Sequence, residues 1–192
     1  VHSAALSSPR LCQQDPDRAR AINVPVGFFD AVLAAGSATT AIVALSTDQV
    51  YDGKQQEATT STSTSTSTAS FLHRYTESET KGLNPVNVYG QTKLDLERCL
   101  SELLQQRQRQ TQQQIQQPRQ PPSNVSCFAL RSSIILGPAA PIDPGCAHGT
   151  FFDFCNERGR NAQSTTFFTN EYRSVVRVDR VLDTIGGIVR RR

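Results

Sequence analysis

Six residues, AIVALS at 41–46, constrain this chain more than any other stretch. Their apolar side chains do not alternate with polar ones, so a strand built from them has both faces covered, as the central strands of parallel sheets do. A second run of this kind, NVSCFALR at 124–131, is separated from the first by a helical pattern at 88–104. VHSAAL, at 1–6, reads as the end of a third buried strand passing into a loop of small residues. Between it and residue 41, Asp15 is placed to cap a helix, Pro16 to open it and Asp17 to lie in its first turn. Ala19, Ile22, Phe29, Val32 and Leu33 carry the helical spacing toward a stop at Gly36, and Pro25 should kink or split that helix. Beyond residue 131, SSIILGP leads to a Gly-Pro stop, 151–158 reads as a short helix, STTFFTNEYR as a strand and turn, and 179–188 as a last helix.

Strand and helix therefore alternate, which predicts an α/β fold with a parallel sheet and right-handed crossovers. Ligands of such sheets bind beyond the carboxyl ends of the strands. The polar ends that qualify are residues 3–6, 46–48 and 131–133.

Two tracts interrupt the pattern. Residues 59–68 are all Ser or Thr, and ten of the sixteen residues at 105–120 are Gln, which helps explain a hydrophobic content of 37%. Such stretches bury too little apolar surface to offset their ordering entropy, so both are predicted as disordered insertions in connections, where extra length costs little. The net charge of +3 comes from six arginines, three in the glutamine tract and three at 190–192. The rest of the chain is slightly acidic, which argues against a nucleic-acid partner. Five scattered cysteines without a C-x-x-C suit reduced thiols in a cytoplasmic protein rather than a disulfide framework or a metal site. No apolar run is long enough to suggest a membrane span.

The chemistry concentrates in VNVYGQTKL at 86–94, where Tyr89 and Lys93 stand four residues apart and share a helix face. A free tyrosine is a poor proton donor near neutrality, and an adjacent ammonium stabilises its phenolate. Ser46 and Thr47 end the strand that precedes this helix and can supply a hydroxyl to a substrate carbonyl. Thr47, Tyr89 and Lys93 together make a carbonyl-reducing set, with Ser46 as a second candidate hydroxyl.

LSTDQVYDG, then YTESETKGLNPVNVYGQTKLDLE, then ALRSSIILGP resemble the extended short-chain dehydrogenase/reductases. Within them the closest branch holds dTDP-4-dehydrorhamnose reductase (RmlD-like) and the regulatory β subunit of methionine adenosyltransferase, with a likeness to plant and algal members. AALSSPRLCQQDPDRARAINVP and FFTNEYRSVVRVDRV resemble that branch as well. The resemblance implies a Rossmann-like doubly wound sheet at 1–137, with insertions at 55–70 and 105–122, and part of a substrate-binding lobe at 138–192. It implies NADP or NAD as cofactor and a nucleotide-activated keto-sugar as substrate, reduced with Thr47, Tyr89, Lys93 and Ser46 as the catalytic set. Ala4, Ala5, Asn23, Ser46, Tyr89, Lys93, Arg131 and Ser132 are then expected at the cofactor, and Thr47, Asp48 and Arg173 at the substrate. For Asn23 and Arg173 a structural hydrogen bond is an equal alternative to ligand contact.

This sequence departs from the branch in several places. It has no G-x-x-G-x-x-G turn to hold a pyrophosphate, so the first βαβ units and the C-terminal portion are expected to be missing. The spacing from Thr47 to Tyr89 is longer than the family's by about the Ser/Thr tract. Near the C-terminus Val175 stands where a proline is usual, and the acid comes one place early, at Asp179. Three readings stay open at this point: a keto-sugar reductase, a cofactor-holding regulatory subunit whose partner is a methionine adenosyltransferase catalytic subunit, and an inactive truncated fragment.

Overall fold

The computed structural model describes residues 1–35, 40–53, 75–76, 82–114, 125–138, 150–167, 169 and 173–191. They fall into two compact units, one running from His2 to Leu130 and the other comprising Arg131–Arg192 with Val1.

In the first unit, helices α1 (Pro9–Gln14), α2 (Pro16–Asn23) and α3 (Val26–Ala35) precede strand β1 (Ala41–Thr47) and a 3₁₀ turn at Asp48–Val50. Helix α4 (Val88–Gln114) and strand β2 (Ser126–Ser132), whose last two residues fall in the other unit, follow, and β2 pairs with β1. The local signals explain the helix boundaries. The Asp15 side chain accepts the Arg18 backbone N–H at 3.0 Å with Pro16 in the first turn, and Pro25 separates α2 from α3 as expected. Helix α1 was not anticipated. Ser8 caps it by accepting the Leu11 N–H, with Pro9 opening it, a Ser-Pro start that lies in the sequence. The expected stop at Gly36 and the Ser/Thr tract lie outside the described residues.

The strand expected at residues 1–6 is a single parallel bridge, His2 to Ala44. His2 N–H donates to the Val43 carbonyl at 2.7 Å, and the Leu45 N–H donates back to His2 at 3.0 Å. β1 has the two-sided burial that its unbroken apolar run demands: Ile42, Val43 and Ala44 are all buried. Ile42 and Ala44 pack with Phe29 and Leu33 of α3 and with Leu96, Leu100 and Leu103 of α4. Those three leucines recur at helical spacing, and the same stripe continues upward to Lys93 and Tyr89.

The first ten residues of the glutamine tract depart from expectation, and its remainder from residue 115 lies outside the described residues. Helix α4 runs ten residues past Leu104, to Gln114, rather than ending where the apolar spacing stops. Gln and Arg are good helix formers, and lengthening an existing helix avoids the cost of nucleation, so a core-anchored helix propagates into polar sequence.

Chain entry into α4 is tightly fitted. Asn87 caps it by accepting the Gly90 N–H at 2.8 Å and donates to Gln49 Oε1 at 2.9 Å. A Cβ on Gly90 would lie 2.2 Å from the Gln49 carbonyl oxygen and 3.0 Å from Pro85 Cβ. Gly90→Ala is therefore expected to destabilise the protein by about 3 kcal/mol, since backbone cannot yield as a side chain can. Urea unfolding checks this, and an unchanged midpoint would contradict the fit. Nearby, the Tyr51 and Tyr75 rings stack at 4.4 Å, Tyr75 donates to Asp52 at 2.6 Å, and the Asp52 N–H donates to the Gly82 carbonyl at 2.9 Å.

In the second unit, β3 (Ile134–Leu136) pairs in parallel with β4 (Val175–Arg177), Ile135 opposite Val176. Helix α5 (Phe151–Arg160) opens on a capping box between Thr150 and Asp153, and α6 (Val178–Arg190) follows β4 directly. Of the strand and turn expected within STTFFTNEYR, residues 164–167 carry neither helix nor strand, residues 168 and 170–172 lie outside the described residues, and the described strand is Val175–Arg177. The β-branched pair Val175–Val176 suits that short strand.

Candidate active site

Lys93 lies on the core-facing stripe of α4 and is 2% exposed. Its ammonium donates to the Leu45 carbonyl of β1 at 3.0 Å and stands 6.0 Å from the centre of the Tyr89 ring. The predicted pair is thus brought to the carboxyl end of β1, with Tyr89 half-buried one turn above the lysine. Burial pushes the Lys93 ammonium below its ordinary value, because the low-dielectric interior disfavours charge and its hydrogen-bond acceptor is a neutral carbonyl. Burial, and then the Lys93 charge, likewise lower His2.

The hydroxyls at the strand end are both buried and have different partners. Ser46 donates to Glu97 Oε1 of α4 at 2.5 Å. Thr47 closes a local turn, donating to Asp48 at 3.2 Å and accepting the Gln49 N–H at 3.3 Å. Glu97 is four residues beyond Lys93 on one helix face, a spacing visible in the sequence but not used there. Asn87, Gln49 and Thr92 also escaped sequence reasoning.

Asn23 is fully buried. Its Oδ1 accepts the Leu6 N–H at 2.7 Å, while its Nδ2 donates to the Leu6 carbonyl at 3.2 Å and to Thr92 Oγ1 at 2.9 Å. Of the two readings of Asn23, the structural hydrogen bond is the one present. Both of its amide protons are donated within the protein. Cys12 Sγ donates to the same Leu6 carbonyl at 3.2 Å, and burial raises its thiol above the ordinary value. These bonds hold the small-residue loop in which Ala4 is exposed and Ala5 half-buried. Asp48 is half-buried beside Thr47. Arg131 and Ser132, at the end of β2, and Arg173, just before β4, are half-buried and belong to the second unit.

Among the described residues no cluster of His, Cys, Asp or Glu could hold a metal, and no helix is long and apolar enough to cross a membrane. A buried lysine under a tyrosine, at the carboxyl end of a parallel strand, places this protein in the α/β class with a candidate proton-transfer site. The RmlD substrate binding domain family matches residues 1–109, more than half of the chain, and the chain belongs to that family. Its structure is similar to that of RMD from Pseudomonas aeruginosa complexed with NADPH, with a TM-score of 0.56 at 17% sequence identity. That likeness covers 95% of this chain but only 53% of the other, so the chain spans about half the length of that protein, and it shows a shared Rossmann-type fold. No curated protein matches the sequence.

Proposed function

We propose that this chain carries the proton-transfer site of an NADP(H)-dependent reductase acting on a nucleotide-activated keto-sugar. The observation that carries the reading is the 2% exposed Lys93, bonded to the Leu45 carbonyl beneath Tyr89 at a strand end. A buried ammonium without an anionic hydrogen-bond partner is costly to keep, and such groups concentrate at functional sites. RMD, the similar structure, holds NADPH, which favours NADP over NAD.

The residues present fit the nicotinamide end of such a cofactor. An ammonium has three N–H donors, and the one bond to Leu45 leaves donor capacity for a ribose hydroxyl. The methyl side chains of Ala4 and Ala5 let a flat ligand approach the backbone. When bound, NADPH supplies the hydride. Tyr89 donates its phenolic proton to the carbonyl oxygen, and Lys93 stabilises the phenolate left behind. The Thr47 hydroxyl, turning its one proton from Asp48 to the substrate, orients and polarises the carbonyl, with Ser46 held in reserve by Glu97. Asp48, beside Thr47 in the same unit, is assigned to the sugar.

The test is NADPH oxidation by the purified protein, with and without a nucleoside-diphosphate keto-sugar. Sugar-dependent oxidation is expected. NADPH binding without turnover, joined to co-purification with a methionine adenosyltransferase catalytic subunit, would replace the reductase with a regulatory subunit. Absence of both binding and turnover would defeat either reading.

A further inference from the structure

Thr92 occupies an unusual place in the hydrogen-bond pattern. It is 3% exposed, and its hydroxyl accepts from Asn23 Nδ2 at 2.9 Å while donating to the Tyr89 carbonyl at 2.8 Å. A threonine within a helix often donates to a carbonyl one turn back, so that bond alone carries no message. The bond from Asn23 does, because it joins residues 69 positions apart.

Proton accounting fixes the direction of every link. The Leu6 N–H needs an acceptor, so the Asn23 oxygen must face it and the Asn23 nitrogen must face Thr92. The Thr92 proton goes to Tyr89, which leaves the Thr92 oxygen lone pairs for Asn23. Turning the Asn23 amide over would set donor against donor at Leu6. The chain of bonds from Leu6 through Asn23 and Thr92 to Tyr89 has therefore one arrangement, and it runs from the small-residue loop to the turn bearing Tyr89 and Lys93.

We infer that Thr92 is a positioning residue that couples this loop to the Tyr89–Lys93 turn, so that seating a dinucleotide on the loop and aligning Tyr89 are one event. The inference rests on the reductase reading for its ligand but not for its linkage. Neither Asn23 nor Thr92 touches the reacting atoms. They act through Leu6 and through the Tyr89 backbone.

The experiment compares the whole chain with Thr92→Val and Thr92→Ser. Exchange of the Leu6 amide proton is followed by NMR, with NADPH as the titrant. Valine keeps the shape but leaves an Asn23 N–H without an acceptor, so Leu6 exchange is expected to quicken on the order of tenfold. Serine restores the native rate. NADPH affinity is expected to weaken about fivefold in the valine variant, again by loss of one buried hydrogen bond, and to recover with serine. Thr92→Ala reads the same exchange if the valine variant does not fold. Unaltered Leu6 exchange in the valine or alanine variant overturns the linkage, whatever NADPH does. Faster exchange with unchanged NADPH affinity overturns the coupling. Failure of the native chain to bind NADPH defeats the reductase reading, while Leu6 exchange still decides the linkage.

Discussion

Tyr89→Phe is expected to lower keto-sugar turnover by about 10²- to 10⁴-fold, the usual worth of a positioned proton donor. The substitution removes one oxygen and keeps the ring, so the half-buried packing and the Lys93 contact to the ring face persist. Hydride arrival at the carbonyl carbon would then leave an alkoxide without its proton source. Turnover should fall with NADPH affinity nearly intact, because the lysine and the loop are untouched. Steady-state kinetics and a cofactor titration separate the two quantities. Turnover equal to that of the native protein would remove Tyr89 from the mechanism and with it the central role argued for this helix.

Lys93→Met is expected to act in two directions at once. Reduction should fall at least about a hundredfold, since the phenolate loses its stabilising charge. Folding stability should rise by about 1–2 kcal/mol at neutral pH, because a charge buried without an anionic partner is replaced by an apolar chain of similar length. Loss of a donor to the Leu45 carbonyl offsets part of that gain.

The pH dependence gives this prediction a sign. Burial makes the folded lysine release its proton more readily than the unfolded one, whose ordinary value is 10.5. Between the lowered folded value and 10.5 the unfolded chain binds more protons, so native stability rises with pH across that window. Below the window both states are charged and the burial cost is present in full, and above it both are neutral and the cost is gone. The advantage of the methionine variant should therefore shrink as pH climbs through the window. Comparing native and variant by urea unfolding at pH 7 and pH 10 cancels contributions from other alkaline groups. An advantage constant with pH would show that Lys93 is not carrying a buried charge.

Elements marked by local signals were legible in the sequence. Asp15 followed by Pro16 announced α2, Pro25 announced its separation from α3, and the unbroken apolar run at 41–46 announced a strand covered on both faces. The site pair was legible because Tyr89 and Lys93 share a helix face and Ser46 and Thr47 end the preceding strand. The bonds that hold the pair were not. Asn23 meets Thr92 across 69 residues and Ser46 meets Glu97 across 51, distances over which no spacing rule operates. The helix at the start of the glutamine tract, to Gln114, was not legible for another reason. The tract's composition cannot start an ordered element, but Leu96, Leu100 and Leu103 had already anchored the helix that runs into it.

The tyrosine stack beside the 3₁₀ turn joins residues that lie on either side of the Ser/Thr tract in sequence. Tyr51 and Asp52 meet Tyr75 and Gly82 from opposite sides of that tract, so the chain is fastened on both of its flanks. Doubling the length of a loop closed in this way adds only about 0.6 kcal/mol. By that scaling a change in the tract's length perturbs the fold little beside the contacts that close it.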